Sequence, residues 1–239
     1  GTRNATPQGK SIARSFASDL AAANVPIISG LALGIDAEAH AGAIESSGKT
    51  IAVLGTPLNY IYPRQNEKIA EKILKTGGAI ISEFPFGHPY NPANFLARNR
   101  IISGLSAGIL IIEAPERSGS LATARFALEQ DRDIFVVPGN ISSNNYKGSH
   151  DLLKSGAILT TQVEDILNHY NIEKNSQLNL EKSNNPEELK IIEVLRKNPA
   201  TAEQLVAKTE KEISELNQIL ALLTIKGIIK EINGKYFLN

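Results

Sequence analysis

The chain has no cysteine, no methionine and no tryptophan, and aromatic residues make up only 5% of its 239 positions. Without cysteine there are no disulfides, no thiolate metal sites and no cysteine nucleophile. The four histidines, His40, His88, His150 and His169, are scattered without ligand spacing, which disfavours a histidine-based metal site. Neither sign of charge is in excess, since 25 Lys and Arg stand against 25 Asp and Glu. That neutrality is local: the balance holds separately in residues 1–167, 168–185 and 186–239. It argues against a broad basic face and restricts any nucleic-acid contact to a small patch. No apolar run approaches the roughly 18–20 residues of a membrane span. Gly1–Lys10 is polar and no signal-peptide core follows it. With no initiator methionine ahead of Gly1-Thr2-Arg3, the chain is expected to lack its natural start, or to carry a glycine left by tag cleavage.

What is present is ordinary for a folded protein: 42% hydrophobic and 21% charged residues. Short runs rich in Val, Ile, Leu and Ala mark strands buried on both faces at Pro26–Ser29, Thr50–Gly55, Ala79–Phe84, Gly108–Glu113 and Asp133–Pro138. Helices are expected between them. Thr6-Pro7 reads as an N-cap and first-turn proline opening a helix to about Ala23. Others cover about Asp36–Ser46, Gln65–Lys75, Asn94–Gly104 and Gly119–Gln130. Strand and helix in regular alternation predict an α/β fold with a doubly wound, mostly parallel sheet over residues 1–167. Ligands of such sheets sit beyond the carboxyl ends of the strands.

Residues 168–185 are polar, Asn-rich and aperiodic, and are read as a linker. Beyond them, Asn185-Pro186 caps a helix, and Thr201-Ala-Glu-Gln204 is a capping box. A third helix near Glu212–Lys226 carries Ile213, Leu216, Leu220 and Leu223 on one face. Two short strands around Asn233-Gly234 complete a small winged-helix domain over residues 186–239.

Three segments carry binding chemistry. Ser29-Gly30-Leu31-Ala32-Leu33-Gly34-Ile35-Asp36 runs from a strand end into a helix, where backbone N–H groups can meet an anion. The plain alternative is a tight strand–helix turn, with Asp36 as N-cap. Ser118-Gly119-Ser120 opens another helix and supplies hydroxyl and backbone donors, or simply caps it. Arg98-Asn99-Arg100 follows Phe95 and puts two cations near a helix start, against the macrodipole. That placement asks for a partner: phosphate, a carboxylate such as Glu83 or Glu113, or backbone carbonyls. Tyr60, Tyr62, Phe86, Tyr90 and Phe95 offer rings for base stacking or for core packing.

In order along the chain, Gly1-Thr2-Arg3, Ser29–Ala32 with Gly34-Ile35-Asp36 and His40, Gly48–Val53, Tyr62-Pro63, Ile81-Ser82-Glu83, Phe95 with Arg98–Ile102, Glu113 with Ser118-Gly119-Ser120, and Val137-Pro138-Gly139 resemble the DprA/Smf family of bacterial DNA-processing proteins. The resemblance implies an extended Rossmann-like domain that binds single-stranded DNA. It implies a cytoplasmic homodimer that protects incoming strands and loads the RecA recombinase onto them during natural transformation. It implies neither cofactor nor catalysis. Carried onto matching positions, the single-strand site comprises Arg3, Gly30, Arg64, Phe95, Asn99, Arg100, Ser118, Gly119, Ser120 and Lys147. Two departures stand out. Leu33 occupies a position that is basic in many members, and the strand the family places directly before the Gly-Thr-Arg turn is absent.

The alternative is a nucleotide-hydrolysing enzyme of the lysine-decarboxylase-like group. It resembles this chain around Ser118–Thr123, but Thr123 stands where that group has its glutamate, so the general acid/base is missing. The third helix of the carboxy-terminal domain bears Glu212 and Glu215 near its start, which disfavours major-groove reading and favours a protein-contact or regulatory role.

Overall fold

The computed structural model describes residues 1–172, 185–209, 211–226, 228–232 and 234–238. Most of the expected linker, residues 173–184, lies outside them, as does Asn233 of the expected hairpin turn. The chain divides into two compact units, Gly1–Lys174 and Asn175–Asn239.

The first unit opens with α1 (Pro7–Ala22), whose Thr6 side chain accepts from the Gly9 N–H as the capping reading requires. Then come β1 (Ile27–Ser29), α2 (Ile35–Glu45), β2 (Thr50–Leu54), α3 (Glu67–Lys75), β3 (Ala79–Ser82), α4 (Ala93–Gly104) and β4 (Gly108–Ile111). They are followed by α5 (Gly119–Glu129), β5 (Asp133–Val136), α6 (Lys147–Lys154), β6 (Ile158–Leu159) and α7 (Val163–His169). All five expected strands are present, and every strand pairing in this unit is parallel. The fold is a Rossmann-like α/β fold of βαβ units.

Among the described residues the strands form two three-stranded sheets, β1-β2-β3 and β4-β5-β6. Between them lies a cavity of about 870 Å³ lined by Ile27 and Ile28 of β1, Gly108–Ile111 of β4, and Phe16 and Leu20 of α1. Apolar cores flank each sheet: Ala52, Leu54 and Ile73 on one side, and Ile111, Ala124 and Val136 on the other. Each fully buried leucine, isoleucine or valine among them contributes about 1.5–3 kcal/mol.

Two local readings differ. Lys147, assigned above to the single-strand site, opens helix α6, an element not among those expected from the sequence. Residues 168–172, read as the start of the linker, close α7 and stay with the first unit. Tyr170 and Ile172 pack on its core, and the Tyr170 hydroxyl donates to Asp133 Oδ2 at 2.8 Å. Their polar neighbours hid two apolar anchors.

The second unit contains α8 (Pro186–Lys197), β7 (Ala200–Thr201), α9 (Ala202–Thr209), α10 (Ile213–Ile225), β8 (Ile229–Ile232) and β9 (Lys235–Leu238). Its antiparallel sheet has the order β7-β9-β8. The Thr201 capping box forms in both directions, Gln204 N–H to Thr201 Oγ1 at 3.3 Å and Thr201 N–H to Gln204 Oε1 at 3.1 Å. On α10 the buried face is Leu216, Ile219, Leu220 and Leu223, while Ile213, expected inside, is 48% exposed. Ile213 begins the helix, where the chain has not yet turned onto the core.

Candidate functional site

The segment after β1 enters α2 through two residues of positive φ, Leu31 at 56° and Gly34 at 79°. Gly34 is the N-cap, so Asp36 sits in the first turn and not at the cap. Its Oδ2 reaches back to accept from the Gly30 N–H at 3.0 Å and the Ala32 N–H at 3.4 Å. The backbone donor that the sequence reading offered to an anion at Gly30 is therefore engaged within the loop.

Arg98 explains why residue 30 is glycine. Its side chain is buried in the middle of α4, and Nη1 donates to the Gly30 carbonyl at 2.7 Å and to the Val53 carbonyl. A β-carbon on Gly30 would stand 2.5 Å from Arg98 Nη2. Arg98 Nε donates to Asn99 Oδ1 at 3.2 Å, and Asn99 Nδ2 donates to the Gly119 carbonyl at 3.2 Å. One relay thus ties together the ends of β1 and β2, helix α4 and the start of α5. Burial lowers the Arg98 pKa from its ordinary value, while Asp36 opposes that shift. The arginines do not stand at the helix start, so burial and not the macrodipole sets the demand for partners. Backbone carbonyls were among the partners the sequence left open for Arg98, and they are the ones it takes, although it was not named as a site residue. Asn94, Arg98 and Ile102 recur at four-residue spacing and share the buried face of α4.

Ser118 begins α5 without a side-chain capping bond; its hydroxyl instead meets that of Ser120 at 2.8 Å. Arg3, Phe95, Asn99, Ser118, Gly119 and Ser120 all border the large cavity between the two sheets. A second cavity, of about 40 Å³, is lined by Arg3, Gly30, Tyr62, Pro63, Phe95 and Arg98. Arg3 is exposed, with its guanidinium carbon 5.7 Å from the Phe95 ring centre.

The other three assigned cations border neither cavity. Arg64 is exposed in a single 3₁₀ turn directly after the cis Tyr62-Pro63 peptide. Arg100 is half exposed and pairs with Glu83. Lys147 is exposed at the start of α6. Glu113, the other carboxylate considered as a partner for the arginines, is fully buried and takes neutral donors instead. These are the Thr6 N–H at 3.1 Å, the Thr6 hydroxyl, Asn145 Nδ2 at 3.0 Å and the Tyr146 hydroxyl at 3.2 Å. Burial, reinforced by the Glu113 charge, pushes the Tyr146 phenol up to about 12. Among the described residues no group of three His, Asp or Glu is placed to hold a metal ion.

The loops after β1 and β4 thus converge at the carboxyl ends of parallel strands, where the two sheets part, and this defines a domain of the Rossmann-like class. The chain belongs to the DNA recombination-mediator protein A family, whose model matches residues 1–171. It is 50% identical over 167 residues to protein Smf of Escherichia coli, covering 70% of this chain and 45% of that one. It is 44% identical over 141 residues to DNA processing protein DprA of Streptococcus pneumoniae, covering 59% of this chain and 50% of that one. The chain therefore spans about half the length of these curated relatives.

Solved structures are similar as well. The crystal structure of the S. pneumoniae DprA superposes with a TM-score of 0.65 at 40% identity, covering 70% of this chain and 58% of that one. DNA processing protein A of Helicobacter pylori superposes with a TM-score of 0.64 at 32% identity, covering 71% and 77%. The latter structure is described in terms of the single-stranded DNA binding mode of that protein.

Proposed function

We propose that the first unit binds single-stranded DNA at the carboxyl ends of its strands and acts as a recombination mediator. It would protect incoming single strands and hand them to a RecA-type recombinase as a cytoplasmic homodimer. The observation that carries this reading is the convergence of Arg3, Phe95, Asn99 and Ser118-Gly119-Ser120 on one crevice. The likeness to the H. pylori protein supports it. Arg3 supplies a phosphate contact at the crevice, and Arg64, Arg100 and Lys147, which lie outside it, supply further contacts along the strand; Ser118, Gly119 and Ser120 line the crevice and Gly30 the small cavity. Few cations take part, so the affinity has a modest salt slope and little sequence preference. No helix among the described residues is long and apolar enough to cross a membrane.

The test is a titration of labelled single- and double-stranded DNA at several salt concentrations. Arg3→Ala with Arg64→Ala is expected to weaken single-strand binding and to reduce the slope by about 0.7 for each phosphate no longer neutralised. Unchanged affinity and slope with the fold intact would remove the pocket assignment.

We read the second unit as a winged helix that contacts protein or regulates the first unit. Supporting this, Lys211 is engaged by Glu187 and Glu215 at 2.9 and 2.7 Å, and Lys226 by Glu188 at 2.7 Å. Those cations are already neutralised. A shift of duplex DNA by residues 186–239 alone at moderate salt would contradict it.

A further inference from the structure

Tyr60, Tyr62, Tyr90 and Phe95 come from two separated stretches of chain and form one continuous aromatic cluster. Tyr62 lies 5.4 Å from Tyr90 and 5.3 Å from Phe95, Tyr90 lies 5.8 Å from Phe95, and Tyr60 lies 6.4 Å from Tyr62. None of the four belongs to the apolar cores of the described residues. Tyr60 is 40% exposed and Tyr90 52%. Large rings left in water forfeit burial energy, so a cluster of them marks a contact surface. The neighbouring rings are tilted by 34° to 60°, so none of these pairs is stacked face to face.

The cluster also has a charged end. Arg3 sits over Phe95, and Phe95, Tyr62, Arg3 and the Gly30 loop enclose the small cavity. A cation and a run of ring faces, one ring apart, match the two chemical parts of a nucleotide. Phosphate goes to the guanidinium, and the flat apolar base goes to a ring. Base–aromatic stacking tolerates any sequence because every base has a π-face. A peptide segment would satisfy the rings but has no anion for Arg3 at every repeat.

We propose that Tyr60, Tyr62 and Tyr90 form a stacking subsite for unpaired nucleobases of a strand whose phosphate is held by Arg3. This deepens the single-strand reading above and rests on it. The subsite extends contact beyond the crevice and rejects duplex DNA, whose bases present no free face.

The test compares two labelled probes of equal length, an oligodeoxythymidine and an abasic sugar-phosphate strand, on the full chain. Tyr90→Ala and Tyr60→Ala are each expected to weaken the base-bearing strand about fivefold or more, with Tyr90→Phe restoring it. The loss should be confined to that strand, and the salt slope should stay as in the parent protein. A 2-aminopurine in the oligonucleotide should be quenched on binding, and less so in Tyr90→Ala. Equal losses on both probes would overturn the proposal. So would an unchanged affinity of the tyrosine variants while Arg3→Ala still weakens binding, and that result would leave the single-strand reading standing. Failure of the parent protein to bind either probe would remove that reading and the subsite with it. Concentration-dependent self-association lost in Tyr90→Ala, without any change in DNA affinity, would assign the rings to a second copy and overturn the subsite.

Discussion

The Arg98 guanidinium lies directly against the backbone of Gly30, donating to its carbonyl at 2.7 Å where a β-carbon would come within 2.5 Å of Nη2. A buried cation is held here by two carbonyls and the Asn99 amide, with Asp36 nearby as its counter-charge. Gly30→Ala must displace the guanidinium and leave buried polar groups short of partners. The expected cost is about 1–3 kcal/mol, read as a lower melting temperature of the first unit. An unchanged melting temperature would mean that the helix and loop can shift apart freely.

The Glu113 carboxylate fastens the start of α1 to the loop before α6. The Glu113→Gln side chain keeps one acceptor oxygen and turns an NH₂ toward groups that are themselves donors. Hydrogen bonds to a charged acceptor contribute about 1.5–3 kcal/mol each, so a loss of about 2–4 kcal/mol is expected in denaturant unfolding. The Tyr146 phenol should also titrate lower than about 12, since part of its upward shift comes from the Glu113 charge. A phenolate titration followed by ultraviolet difference spectra reads this directly.

His40 gives a pH dependence. It is fully buried, with its Nδ1 2.7 Å from Thr50 Oγ1, whose own proton goes to the Ile27 carbonyl. Burial lowers its pKa from 6.5 to about 4, with Arg98 adding to the shift and Asp36 opposing it. The unfolded chain therefore binds a proton that the folded one refuses between these two values. Stability is full above about pH 6.5 and falls as pH drops toward 4, by up to about 3 kcal/mol. Urea unfolding at steps across that window should show the slope, and His40→Asn should flatten it. A parent protein equally stable at both ends would contradict the neutral, buried assignment.

Arg100 is paired with Glu83 in the free protein. A phosphate that recruits Arg100 must displace that carboxylate. Glu83→Gln is therefore expected to tighten single-strand binding about two- to fivefold at low salt, with the gain shrinking as salt rises. Unchanged or weaker binding would leave Arg100 a structural partner of Glu83 and remove it from the site.

Apart from the short β6 and β7, helices α6 and α7 and the caps of α2 and α5, the amino-acid sequence by itself determined the strands, helices and caps. Each rests on neighbours: apolar runs of four or five residues, Pro7 after Thr6, and Gln204 three residues after Thr201. It also carried the family, through motifs that are contiguous in the chain. Only the tertiary structure decided what the polar residues do. Arg98 meets Gly30 across 68 positions and Glu113 meets Thr6 across 107. Local pattern says a residue is charged and which face of its element it occupies, but not which backbone carbonyl waits there. The aromatic surface was undecided for the same reason. Whether a ring is core or contact surface depends on what packs over it, and packing brings Tyr60, Tyr62, Tyr90 and Phe95 together while leaving Tyr60 and Tyr90 in water.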